Sequence, residues 1–179
     1  NGFQITCFGA SDGKIDLAIS GGSSVNEYAW TFSLGATDIS ATATAQNQNN
    51  LGPGTYTVVV TDNNGCTETE SYTLTEPDAL SLSSTKVDFN GFNISCNGAL
   101  DGEIDLIVTG GTSSYTYAWS TSNGSGLALT AQDQSGLSAG TYTVKVTDTN
   151  NCDISDTFTI TQPPPLVLTA VLSDFNGFN

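Results

Sequence analysis

The chain of 179 residues has no arginine, no histidine and no methionine, and its only cations are Lys14, Lys86 and Lys145. Against 18 Asp and Glu this leaves a net charge of −15. Nucleic-acid binding needs clustered cations against phosphate, so it is excluded as a function class. Attachment to an anionic membrane surface fails for the same reason. No apolar run approaches the ~18 residues of a membrane-spanning helix. Without histidine there is no Ser-His-Asp triad and no Cys–His pair. Asp12 and Asp16, four residues apart on one strand, would lie about 13 Å from each other. Glycosidase carboxylates stand about 5–9.5 Å apart. No enzyme is expected. Charged residues make up only 12% of the chain, too few for a disordered acidic tail. No cofactor is expected.

What is present is a repeat. Residues 51–66, LGPGTYTVVVTDNNGC, return at 137–152 as LSAGTYTVKVTDTNNC, displaced by 86 positions (137 − 51). Earlier in the repeat the displacement is 89: Cys7 maps to Cys96, Asp12-Gly13 to Asp101-Gly102 and Tyr28-Ala29-Trp30 to Tyr117-Ala118-Trp119. Three residues are therefore lost in copy two between Trp119 and Leu137, as a loop tolerates. The ending SDFNGFN (173–179) echoes VDFNGFN (87–93). The expected organisation is a first repeat over 1–79, whose first strand lies before residue 1, a second over 80–165, and the start of a third over 166–179. Tandem copies at this spacing argue for serial β-domains.

Within each copy the hydrophobic period is 2. Ile15, Leu17 and Ile19 define one strand, Tyr28, Trp30 and Phe32 a second, and Tyr56, Val58 and Val60 a later one. Tyr72 and Leu74 mark the last. A strand of less regular pattern is expected around 39–45 and 127–131. This alternation is that of half-buried antiparallel strands, with Gly-, Pro- and Asn-rich turns between them. The fold expected is all-β. Pro77 and Pro163 close the repeats; short Pro-containing links are stiff, so a semi-rigid rod is expected. Asn90-Gly91 reads as a hairpin turn.

Four cysteines, two per copy, suit an oxidising compartment. Counting four antiparallel strands between them returns the chain to its starting end. On that count Cys7 meets Cys66 and Cys96 meets Cys152, each bond contributing roughly 4 kcal/mol by the chain-entropy relation. Acidic groups are expected to gather near one end of each copy: Asp12 with Asp62, and Asp101 with Asp148. Converging oxygens there could hold Ca²⁺. The plainer reading makes them turn and cap residues, and it is preferred because no dense D-x-D-x-D loop is present. Trp30 and Trp119 could stack on sugars, but their place in the apolar set assigns them to the core. Tyr56 and Tyr142 are assigned likewise. Asn93 and Asn123 each open an N-x-S pattern, one that arises readily by chance in so Asn- and Ser-rich a chain. A Lys–Asn cross-link recurring in every repeat is not expected, because Lys14 maps to Glu103.

The pattern C-x-G-x-x-D-G-x-I-D-L, then G-G, Y-x-W, G-T-Y-T-V-x-V-T-D-x-x-x-C and T-x-P resembles the SprB repeat. That repeat is found in the giant surface adhesins of gliding Bacteroidetes and is related to PKD-type domains. Copy one reads CFGASDGKIDL, GG, YAW, GTYTVVVTDNNGC and TEP; copy two reads CNGALDGEIDL, GG, YAW, GTYTVKVTDTNNC and TQP. Copy two departs at Asn151, where the family has Gly. The resemblance implies an immunoglobulin-like β-sandwich, export through the type IX system to the bacterial surface, and a non-catalytic place in a long extracellular filament. Neighbouring repeats are the partners expected first, then extracellular polysaccharide or other surfaces, with lateral self-assembly of filaments a further expectation. The alternatives are a carbohydrate- or protein-binding module and an accessory domain of a larger secreted enzyme. The loops at 33–50 and 120–135 differ in length and content, which argues against a ligand site shared by both copies.

Overall fold

A computed structural model describes residues 2–33, 35–36 and 42–171. Among them there are eleven strands in four antiparallel sheets and no α-helix. In copy one these are β1 (Gly13–Ile15), β2 (Val25–Phe32), β3 (Gln48–Leu51), β4 (Gly54–Asp62) and β5 (Thr67–Leu74). Copy two follows with β6 (Ser81–Lys86), β7 (Gly102–Thr109), β8 (Thr116–Thr121), β9 (Gln134–Leu137), β10 (Gly140–Thr147) and β11 (Asp153–Ile160). By contacts the chain forms two compact units: Asn1–Leu82 with Val108–Thr116 and Val146–Ile154, and Ser83–Ile107 with Tyr117–Lys145 and Ser155–Asn179.

Copy one is a sandwich. Sheet β1-β3 lies on one side and sheet β2-β4-β5 on the other. Ile5, Ile15 and Leu51 meet Trp30, Tyr56, Val58 and Leu74 between them. Alternation explains this: in β4, Tyr56 and Val58 are buried while the threonines between them are not. Copy two repeats the arrangement with β6-β7-β9 and β8-β10-β11. Its buried set includes Ile94, Ile104, Leu106, Trp119, Leu137, Tyr142, Val144 and Phe158. The fold is thus the all-β, immunoglobulin-like sandwich expected. Phe89 and Phe92 pair across Asn90 (φ 55°) and Gly91 (φ 90°), so the Asn-Gly hairpin forms.

Two expectations need correction. The first is the irregular strand. Residues 39–41 lie outside the described residues, as does the SDFNGFN ending at 173–179; 42–45 form a turn rather than a strand, and 127–131 is likewise not a strand. A real strand was missed just beyond, β3 in copy one and β9 in copy two, only four residues long and carrying Gln at its start. The register of the strands overturns the second expectation, the cysteine pairing. β1 pairs with β3 at Gly13↔Leu51, and β4 starts beside the end of β5 at Gly54↔Leu74. Four strands, β1 to β4, lie between Cys7 and Cys66, but β4 starts at the end of the sandwich where β1 starts and runs away from it, which leaves Cys66 at the end opposite Cys7. The bond that forms is Cys7–Cys152, spanning 145 residues, with both partners in the first unit. Cys66 and Cys96 are free thiols, both exposed.

Candidate functional site

No group of three or more His, Cys, Asp or Glu is placed to hold a metal among the described residues. The four acidic candidates fall into two kinds of site rather than one. Asp12 sits where β1 begins. It accepts the Thr6 N–H at 3.1 Å and the Thr6 hydroxyl, and that hydroxyl, followed by the N–H, holds its carboxyl below the ordinary carboxylate range. Asp101 accepts the Ser95 N–H at 3.2 Å in the equivalent turn. Asp62 sits at the far end of β4. One carboxylate oxygen accepts the N–H groups of Asn64 and Cys66, each at 2.9 Å, and the other accepts the N–H and hydroxyl of Ser23. The Cys66 N–H, then that of Ser23, lowers its pKa. Asp148 repeats the pattern, taking Asn150 and Cys152 on one oxygen and Thr112 on the other, each at 2.9 Å, and it is 5% exposed. Asp12 and Asp62 therefore stand at opposite ends of the sandwich, contrary to the expectation that they gather. Each ties two turns together through donors that prefer the ionised form.

The aromatic candidates are in the core. Trp30 donates its indole N–H to the Ala45 carbonyl and Trp119 to that of Ala131, both at 2.8 Å. The rings lie 6.4 Å from Tyr72 and 6.0 Å from Phe158. Tyr56 donates to the Gly52 carbonyl at 2.9 Å, four residues upstream. Tyr142 does the same to Ser138 at 2.7 Å. Both make the tyrosine corner seen at the start of this strand in immunoglobulin-like sandwiches. Asn93 is half-buried, with its amide on the Val87 carbonyl and its oxygen on Thr161. Asn123 is exposed and accepts from the Thr141 N–H.

Sequence reading overlooked a triplet, Gln46-Asn47-Gln48 in copy one and Gln132-Asp133-Gln134 in copy two. Gln46 donates to the Leu17 carbonyl and Asn47 accepts the Leu17 N–H. Gln132 and Asp133 treat Leu106 identically. Two side chains thus extend the short β1–β3 and β7–β9 ladders. The third residue turns inward: Gln48 is 1% exposed and Gln134 3%. Gln134 donates to the carbonyls of Ala128 and Ala131 and accepts the Ala128 N–H, so it closes the loop that caps the indole. Gln48 donates to the Thr42 carbonyl and accepts the Thr42 hydroxyl in place of an N–H. The signal was available, because Q-x-Q recurs at the displacement of 86. It was hidden among polar residues that read as loop.

The side chains shared by the copies, cysteines aside, thus bind mainly backbone, at corresponding positions in both. A family model described as SprB repeat matches residues 4–33 and 92–124. Both copies match the SprB repeat. The matched stretches carry Cys7, Asp12 and Trp30, and Cys96, Asp101 and Trp119. The Gln clamp, the tyrosine corner and the second cysteine of each copy lie outside them. The SprB repeat is a structural repeat of cell-surface adhesins rather than an enzyme domain. No curated protein matches the chain.

Proposed function

We propose that this chain is a non-catalytic length of a secreted bacterial surface filament, a tandem spacer serving attachment and gliding. The observation that carries the reading is the use of shared polar residues. Asp62 and Asp148, Gln48 and Gln134, and Tyr56 and Tyr142 are committed to backbone groups, so what the copies have in common is scaffold. Repetition of a stiff scaffold spreads weak contacts along a filament or carries a distant binding tip outward, and weak contacts in number give firm attachment. The partners are neighbouring repeats, extracellular polysaccharide and solid surfaces. A high negative charge keeps such filaments from collapsing onto one another.

The test compares display with monomer. Beads densely coated with this chain should adhere to polysaccharide-coated surfaces, and soluble monomer at micromolar concentration should not compete them off. One-to-one micromolar binding of the soluble chain to a defined glycan would replace the spacer reading with a ligand-binding module.

A further inference from the structure

The two free thiols stand in the same backbone settings as the two bonded sulfurs. Cys152 follows Asp148, whose carboxylate accepts the Cys152 N–H at 2.9 Å while the Asp148 N–H reaches the Cys152 carbonyl. Cys66 has the same two bonds to Asp62, at the same distances. At the other kind of position, the Cys7 carbonyl accepts the Ala10 N–H and the Cys96 carbonyl accepts that of Ala99, each at 3.0 Å. Cys96 is thus a Cys7 without its partner, and Cys66 a Cys152 without its own. The bond that exists runs from the first cysteine of one copy to the second cysteine of the next. It is accompanied by a hydrogen bond from the Asn150 amide to the Thr6 carbonyl at 2.8 Å. Asn64, the counterpart of Asn150, is exposed.

We propose that successive repeats are joined by disulfides from the first cysteine of each to the second cysteine of its successor. Exposed Cys96 and Cys66 are then the open halves of two further bonds, one to a following repeat and one to a preceding repeat. A second observation agrees. Leu80 lies against Gly111 within the first unit. Its counterpart Leu166 is 93% exposed, with Leu168 at 90% and Val171 at 94%, so the segment equivalent to the start of β6 lacks the packing that Leu80 has. Each bond forms by exchange with a small disulfide. One protein thiolate displaces a thiol from it, and the second displaces the other, so two protein thiols and one disulfide become one protein disulfide and two thiols. The inference rests on the tandem array and not on adhesion; a failed bead assay leaves it untouched.

The test is a disulfide map. The chain is extended after Asn179 with a copy of its own residues 94–165, completing a third repeat. It is refolded in glutathione and glutathione disulfide, blocked with iodoacetamide and digested without reduction. Mass spectrometry should find Cys7 linked to Cys152 and Cys96 linked to the second cysteine of the added repeat, with Cys66 still alkylated. Alkylated Cys96, or Cys96 joined to Cys66 or Cys152, overturns the proposal. The unextended Cys7→Ser variant gives a check that does not depend on folding of the added repeat. Position-specific pairing leaves Cys152 alkylated there, whereas its transfer to Cys66 or Cys96 would count against the scheme.

Discussion

Buried glutamines carry more of this fold than their chemistry suggests. Gln134 is nearly sealed from solvent and satisfies two carbonyls and one N–H of a loop that has no ladder of its own. Gln134→Ala strands those groups, and unpaired buried polar groups cost about 1–3 kcal/mol each. The variant should lose roughly 2–4 kcal/mol in urea unfolding, and the Trp119 emission should shift to the red as its cap loosens. An unchanged midpoint would mean water replaces the amide. Asp62 makes a prediction about acid. Its folded pKa lies below that of the unfolded chain, chiefly because of the Cys66 N–H. Below about pH 4 the unfolded state therefore binds more protons, and stability falls as pH falls through the folded value. Asp62→Asn should be less stable at pH 7 and should flatten this acid limb. An acid limb of wild-type steepness in the variant would assign the effect elsewhere; Asp12, held down by Thr6, is the next candidate.

At the scale of the element, the decisive pieces are β3 and β9. Four residues are too few to stand alone, and each is held by a pairing strand, β1 for β3 and β7 for β9. β9 is paired to β7 at Gly102↔Leu137 and Ile104↔Gln134. Gly126 presses on its backbone: a Cβ there would lie 2.2 Å from the Gly136 carbonyl oxygen, and Gly126 has φ +91°. Gly126→Ala meets both a left-handed backbone and a clash with main chain that no rotamer relieves. A cost of about 2–4 kcal/mol is expected. Faster hydrogen exchange should appear first at Leu137 and its partner Gly102. Exchange unchanged at those amides would show that the loop, not the strand, absorbs the strain.

For the whole molecule the covalent link is the strongest single constraint. Cys7–Cys152 spans 145 residues, for which the chain-entropy relation gives about 5 kcal/mol. Reductant should lower the melting temperature, and the double variant Cys7→Ser with Cys152→Ser should melt at that lowered temperature with or without reductant. Cys66→Ser and Cys96→Ser should leave the melt of this chain unchanged. Chelator alone should do little, because the acidic candidates stand at two ends of the sandwich with oxygens already accepting N–H groups. A large drop in EDTA would instead make calcium a structural partner.

The sequence by itself determined the β class, the repeat, the core and the turn chemistry. Period-2 alternation placed Trp30, Tyr56 and Val58 inside, and Asn90-Gly91 formed its hairpin. These are local properties, set by which face of a strand is apolar and which residues accept φ > 0. Sequence could not tell where each strand begins and which way it runs. β3 and β9 carry no apolar alternation, and they become strands only because β1 and β7 offer them unpaired backbone and buried glutamines stitch the adjoining loop. Their register sets β4 off from the end where β1 begins, and this moved Cys66 away from Cys7 and Asp62 away from Asp12. Which sulfurs bond and which carboxylates share an end depend on strand register and direction, a property of the assembled sheets that no stretch of residues contains.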